Sequence, residues 1–123
     1  MLRSFLTVGI GGAFGSMARY GLSYAMGKFI TNPFPFATFL INVLGSFLIG
    51  LLFGWTSRNE WMQGYGTLLL ASGFCGGFTT FSTFALENIN LQQKGEVFTA
   101  ILYITLSVVI GLLLCRLGIW LAR

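Results

Sequence analysis

The sequence contains no histidine, only two prolines, only two cysteines and only three acidic residues among its 123 positions. The missing histidine removes the commonest metal ligand and the commonest proton shuttle near neutral pH. No nucleophile–base pair and no cluster of metal-ligating side chains is visible, so an enzyme is the least supported reading. Cys75 and Cys115 both fall in apolar stretches, where thiols serve as inert packing groups. Charge is the scarcest commodity. Charged residues make up 8% of the chain and hydrophobic ones 55%, whereas a soluble domain carries about 25% charged residues. That leaves too little polar surface for a water-soluble globule and predicts an integral membrane protein.

What is present is long and apolar. Phe29–Ser57, Trp61–Leu86 and Val97–Cys115 are free of charge, and an earlier stretch, Ser4–Ala18, resumes after Arg19 through Gly27. A span needs roughly 20 apolar residues. The expected fold is an all-α integral membrane domain over residues 1–123, with four transmembrane helices near 4–27, 36–56, 64–90 and 97–120, the third broken. The N-terminal apolar stretch is too long for the core of a cleavable signal and leads into further spans.

Four spans put both termini on one side. Arg3, Arg58, Arg116 and Arg123 then mark that side, and Arg19, Lys28 and Lys94 the other. Orientation normally follows an excess of Lys and Arg in cytoplasmic loops. A difference of one is almost no instruction, which favours dual topology, copies inserted both ways and paired antiparallel, over a single orientation. Small residues four apart (Gly11/Gly15, Gly50/Gly54 and Gly73/Gly77) let helix backbones approach closely. Packing within one four-helix unit explains some of these pairs, but 17 glycines in the chain exceed what one small bundle needs, and a homodimer is expected.

Polar residues three or four apart share a helix face. Thr38, Asn42 and Ser46 form one stripe, Thr99, Tyr103 and Ser107 a second, and Thr79, Thr83 and Glu87 a third, with Ser82 alongside and Phe81 and Phe84 on one face. Serine and threonine in membrane helices often bond back to their own helix. Asn42 cannot satisfy a carboxamide that way and must face a neighbouring helix or water. Arg19 and Glu87 are the ionisable groups most clearly tied to a span, and such groups are functional candidates. Arg19 either snorkels to the nearer surface or lines a mouth that draws anions inward. Gly76-Gly77 followed by Phe-Thr-Thr is expected to unwind the third helix, and freed backbone at membrane depth requires protein cover or a cavity. Composition leaves the sign of a transported ion open, since a ring face is negative and its edge positive; the net charge of +4 leans toward an anion.

The segments GGAFGSMARY (Gly11–Tyr20), FATFLINVLGSFLIG (Phe36–Gly50) and GFCGGFTTFSTFALE (Gly73–Glu87) closely resemble the Fluc, or CrcB, family of fluoride channels. The resemblance spans nearly the whole chain. It implies an antiparallel, dual-topology homodimer in the cell inner membrane that exports fluoride passively and protects against its toxicity. It implies that Phe81 and Phe84 are paired pore phenylalanines and that Asn42 bonds the anion, with Ser82, Thr83, Tyr103 and Ser107 continuing a polar track and Thr38 beside Asn42. Arg19 would sit near a pore vestibule. A structural sodium ion at the dimer axis would be held by the backbone carbonyls of Gly76 and Thr79. Two rivals share the size and patterning. A proton-coupled drug exporter would carry a carboxylate in its first span, where this chain has none. A non-transporting scaffold would have no use for Asn42 or for three polar stripes.

Overall fold

In a lipid environment a helix is the one spanning form that satisfies every backbone group within a single segment, and the charge-poor stretches adopt it. The computed structural model describes all residues, Met1–Arg123. Helix α1 covers Leu2–Gly27 and α2 covers Phe36–Thr56. A single 3₁₀ turn, Trp61–Gln63, leads into a π-helical segment, Thr67–Cys75, which continues into the one-turn helix α3, Gly76–Phe78. After two extended residues, α4 runs over Phe81–Gln93 and α5 over Val97–Ala122. Gly95, at φ 80°, makes the tight reversal between them, a conformation open to glycine because it has no Cβ. No strand is present.

Three rods are long and apolar enough to cross a membrane: Phe36–Thr56, Thr67–Gln93 and Val97–Ala122, at mean hydropathies of 2.2, 1.3 and 2.5. Helix α1 has the length, 26 residues, but its glycines and Arg19 keep it out of that set.

Glycines join the rods in two seams. Along α1, Gly11 meets Leu69 O and the Cα of Gly73, while Gly15 meets Phe74 O and Phe78 N. The contact is reciprocal: a Cβ on Gly77 would stand 2.5 Å from Gly12 O. The π winding explains the match. Leu69 and Phe74 are five apart, which in an α-helix would place them about 140° apart, whereas i→i+5 winding brings them onto one face. The second seam joins α2 to α5, where Gly50 faces Cys115 O, Gly54 faces Ile119 O, and Gly118 faces Phe47 O. All three spaced glycine pairs are thus occupied within one chain. Packing within one unit, expected of some of these pairs, accounts for all three: helices in lipid gain contact by bringing their own backbones together.

The break falls at the far end of the stretch expected to unwind, at the threonines and not the glycines. Gly76 is helical at φ −63°, ψ −38°, and the chain is extended at Thr79 (φ −83°, ψ 157°) and Thr80 (φ −150°, ψ 120°). Glycine is a poor helix former, but here Gly77 lies directly against the Gly12 backbone of α1, and the winding continues through both glycines. Adjacent β-branched threonines favour the extended form and take the break two residues later. At one end of the bundle Phe34, from the α1–α2 connection, closes a small core with Leu91, Ala100 and Tyr103.

Candidate functional site

The extended pair Thr79–Thr80 interrupts the helical hydrogen-bond ladder, and side chains from two other helices take up backbone groups freed there. Thr79 N–H closes the last helical bond, to Cys75 O at 3.0 Å. Thr80 N–H, which in a continuous helix would go to Gly76 O, donates to Asn42 Oδ1 at 2.9 Å, and Asn42 Nδ2 donates back to Thr80 O at 3.1 Å. From α1, Arg19 Nε donates to Gly77 O at 3.0 Å. Helix α4 then restarts with Thr80 as its N-cap: Thr80 Oγ1 accepts from Thr83 N–H at 3.4 Å and pairs with the Thr83 hydroxyl at 3.2 Å, the usual service of a threonine in that position.

Beside the break runs an open groove of about 520 Å³. Its polar lining comes from Asn42 and Ser46 of α2, Ser72, Thr79 and Thr80 of the broken rod, and Ser107 of α5, with Phe81 and Phe84 on the α4 side. Phe81 is 79% exposed. Its ring centroid is 5.8 Å from that of Phe84, with the planes at 44°, and Phe84 in turn lies 4.9 Å from Tyr103 at 57°. Neither pair is stacked flat. The Ser107 hydroxyl oxygen is buried and has no hydrogen-bond partner. Ser46 bonds back to Asn42 O at 2.8 Å.

A second polar group lies further along α4. Tyr103 OH donates to Glu87 Oε1 at 2.9 Å and the Thr38 hydroxyl to Glu87 Oε2 at 3.0 Å. One carboxylate thereby ties α2, α4 and α5 together. Of the residues singled out from sequence, the groove brings together Asn42, Phe81, Phe84, Ser107, Gly76 and Thr79. Thr38 and Tyr103 meet at Glu87 instead. Thr83 serves the N-cap, Ser82 is exposed, and Arg19 is bonded to the Gly77 carbonyl. Thr99 lies apart from both groups, its hydroxyl bonded to Glu96 at 3.2 Å. Thr80 was not singled out in the sequence as a cap, although a threonine immediately before the first apolar residue of a helix is an N-cap signal.

A broken rod, side chains bridging its gap, and a groove lined by hydroxyls, an amide and phenyl rings define an all-helical membrane protein built around irregular backbone. The family model described as "CrcB-like protein, Camphor Resistance (CrcB)" matches residues 6–119, and the chain belongs to that family. A protein of Prosthecochloris aestuarii named fluoride-specific ion channel FluC is 47% identical over 118 residues, 96% of this chain and 91% of that protein. Proteins of the same name from Azobacteroides pseudotrichonymphae and Flavobacterium psychrophilum are 41% and 38% identical, over 96% and 99% of this chain and 94% and 98% of their own lengths.

Proposed function

We propose that this protein is a fluoride-selective channel, not an enzyme, that lets fluoride leave the cell passively across the inner membrane. The observation that carries the reading is the groove at the break, where the buried, unpartnered Ser107 hydroxyl, Asn42 and two phenyl rings face one space. Fluoride is small and strongly hydrated, so a dry path must replace its water with close donors. A hydrogen bond to a charged group is worth roughly 1.5–3 kcal/mol, and several in file permit entry without trapping. Ser107 supplies a free hydroxyl, Asn42 its second amide hydrogen, and Phe81 and Phe84 their positive ring edges. The Glu87 cluster, with Tyr103 and Thr38, continues the polar line, with Ser82 and Thr83 at the start of α4. Arg19 supplies a fixed positive charge near the mouth.

In this reading α1 is the fourth span, since it lies backbone to backbone along the broken rod. Two copies pair antiparallel, in keeping with the near-equal basic charge on the two sides, and the second copy covers the open groove and Phe81. The carbonyls of Gly76 and Thr79 suit a structural sodium ion: the amide that would occupy Gly76 O is diverted to Asn42, and Gly76 is exposed with open space beside it. When bound, sodium supplies fixed positive charge that neutralises those carbonyl dipoles.

The test is efflux from proteoliposomes followed with fluoride- and chloride-selective electrodes. Fluoride release with chloride retained is the expected result; equal release of both, or of neither, refutes the channel. Replacing sodium by a large organic cation during purification is expected to lower flux and dimer yield together.

A further inference from the structure

The Asn42 carboxamide is not a free donor waiting for an ion. Its oxygen and its nitrogen engage the backbone N–H and C=O of one residue, Thr80, at 2.9 and 3.1 Å, as a neighbouring backbone strand would. One turn further along the same face of α2 stands Gly45. Its missing side chain leaves room for Thr79: the Thr79 methyl occupies the place a Gly45 Cβ would take, with Phe78 Cδ2 at 3.5 Å from that point. Asn42 and Gly45 are three residues apart and so face the same way. Together they form a cradle in α2 that fits the two extended residues, one by hydrogen bonds and one by shape. We propose that Asn42 is a positioning residue which, with Gly45, pins the break to α2 and so sets the direction in which α4 presents Phe81 and Phe84 to Ser107. The proposal rests on the fluoride-channel reading for its consequence, but the pin is a property of the fold.

The pin has two separable chemical parts. The Oδ1 atom holds the Thr80 amide; the Nδ2 atom holds the Thr80 carbonyl and has one further hydrogen directed elsewhere. Asp keeps the acceptor and loses both donors, whereas Ala loses everything. Gly45→Ala leaves the carboxamide intact and displaces only the chain it holds. A role as an anion ligand alone predicts that Gly45→Ala conducts normally, so this variant separates positioning from ligation.

The experiment is backbone amide exchange at Thr80 in the purified full-length protein, together with fluoride efflux. Asn42→Ala is expected to speed Thr80 exchange by about tenfold, the effect of one lost hydrogen bond, and to lower flux. Asn42→Asp is expected to keep Thr80 protected while flux falls. Gly45→Ala is expected to raise exchange and lower flux with Asn42 in place. Thr80 exchanging no faster in Asn42→Ala than in the native chain overturns the pin, as does Gly45→Ala with native exchange and native flux. Native protein that shows this exchange pattern yet passes no fluoride supports the pin and refutes the channel reading.

Discussion

Thr67–Phe78 lies against α1 backbone to backbone, wound as a π-helix as far as Cys75 and sealed by Gly11, Gly15, Gly73 and Gly77. Phe81–Gln93, two residues later on the same rod, is an ordinary α-helix that packs chiefly against α5 and meets its neighbours through hydroxyls, Glu87 and aromatic rings. The first half gains its stability from removing side chains; the second uses side chains to reach across gaps. The difference assigns the glycines and the threonines separate jobs. Glycine in this rod brings backbones together, and threonine interrupts them.

The comparison is broken most severely at the seam. Gly77→Val would push a side chain into the Gly12 backbone, which cannot rotate away, and is expected to cost more than about 3 kcal/mol; the measurement is the yield of monodisperse protein in detergent. On the open half, Phe81→Ile with Phe84→Ile should leave that yield unchanged and lower fluoride efflux by about tenfold or more, since ~1.4 kcal/mol of barrier is a factor of ten. Tyr103→Phe removes one of the two hydroxyls that hold Glu87 and is expected to lower stability by about 1.5–3 kcal/mol, read as a fall in the midpoint of thermal unfolding. The contrast is sharpened by a glycine outside the seam. Gly21 has nothing within 4 Å of its missing side chain, so Gly21→Ala should raise the same midpoint, by the roughly 0.5–1 kcal/mol that alanine gains in a helix.

Much of the rod pattern was legible because charge-free length is what a membrane helix requires: the second expected span, 36–56, has the same bounds as α2. The third was expected from 64, and helical winding starts at Tyr65, just past the 3₁₀ turn Trp61–Gln63. The break was expected over Gly76-Gly77 and the Phe-Thr-Thr that follows, from intrinsic propensity, which carries no information about what lies alongside; the α1 backbone against Gly77 and the Asn42 side chain on Thr80 decide where within that stretch it falls. The stripes were legible as faces and not as neighbours. Thr38 and Asn42 share a stripe on α2, yet one meets a carboxylate and the other a peptide group. Spacing along one helix cannot say which part of another helix arrives opposite it, and a partner such as the Thr80 backbone leaves no mark in the side-chain pattern at all.

The two side chains that bridge the gap in the third rod, Arg19 and Asn42, belong to segments synthesised before it. Chains emerge from the ribosome N-terminus first, so both partners are already in place when Gly77 and Thr80 arrive. The interruption therefore need never stand bare in lipid, and a rearranged gene that moved the broken rod ahead of α1 and α2 would expose it during assembly.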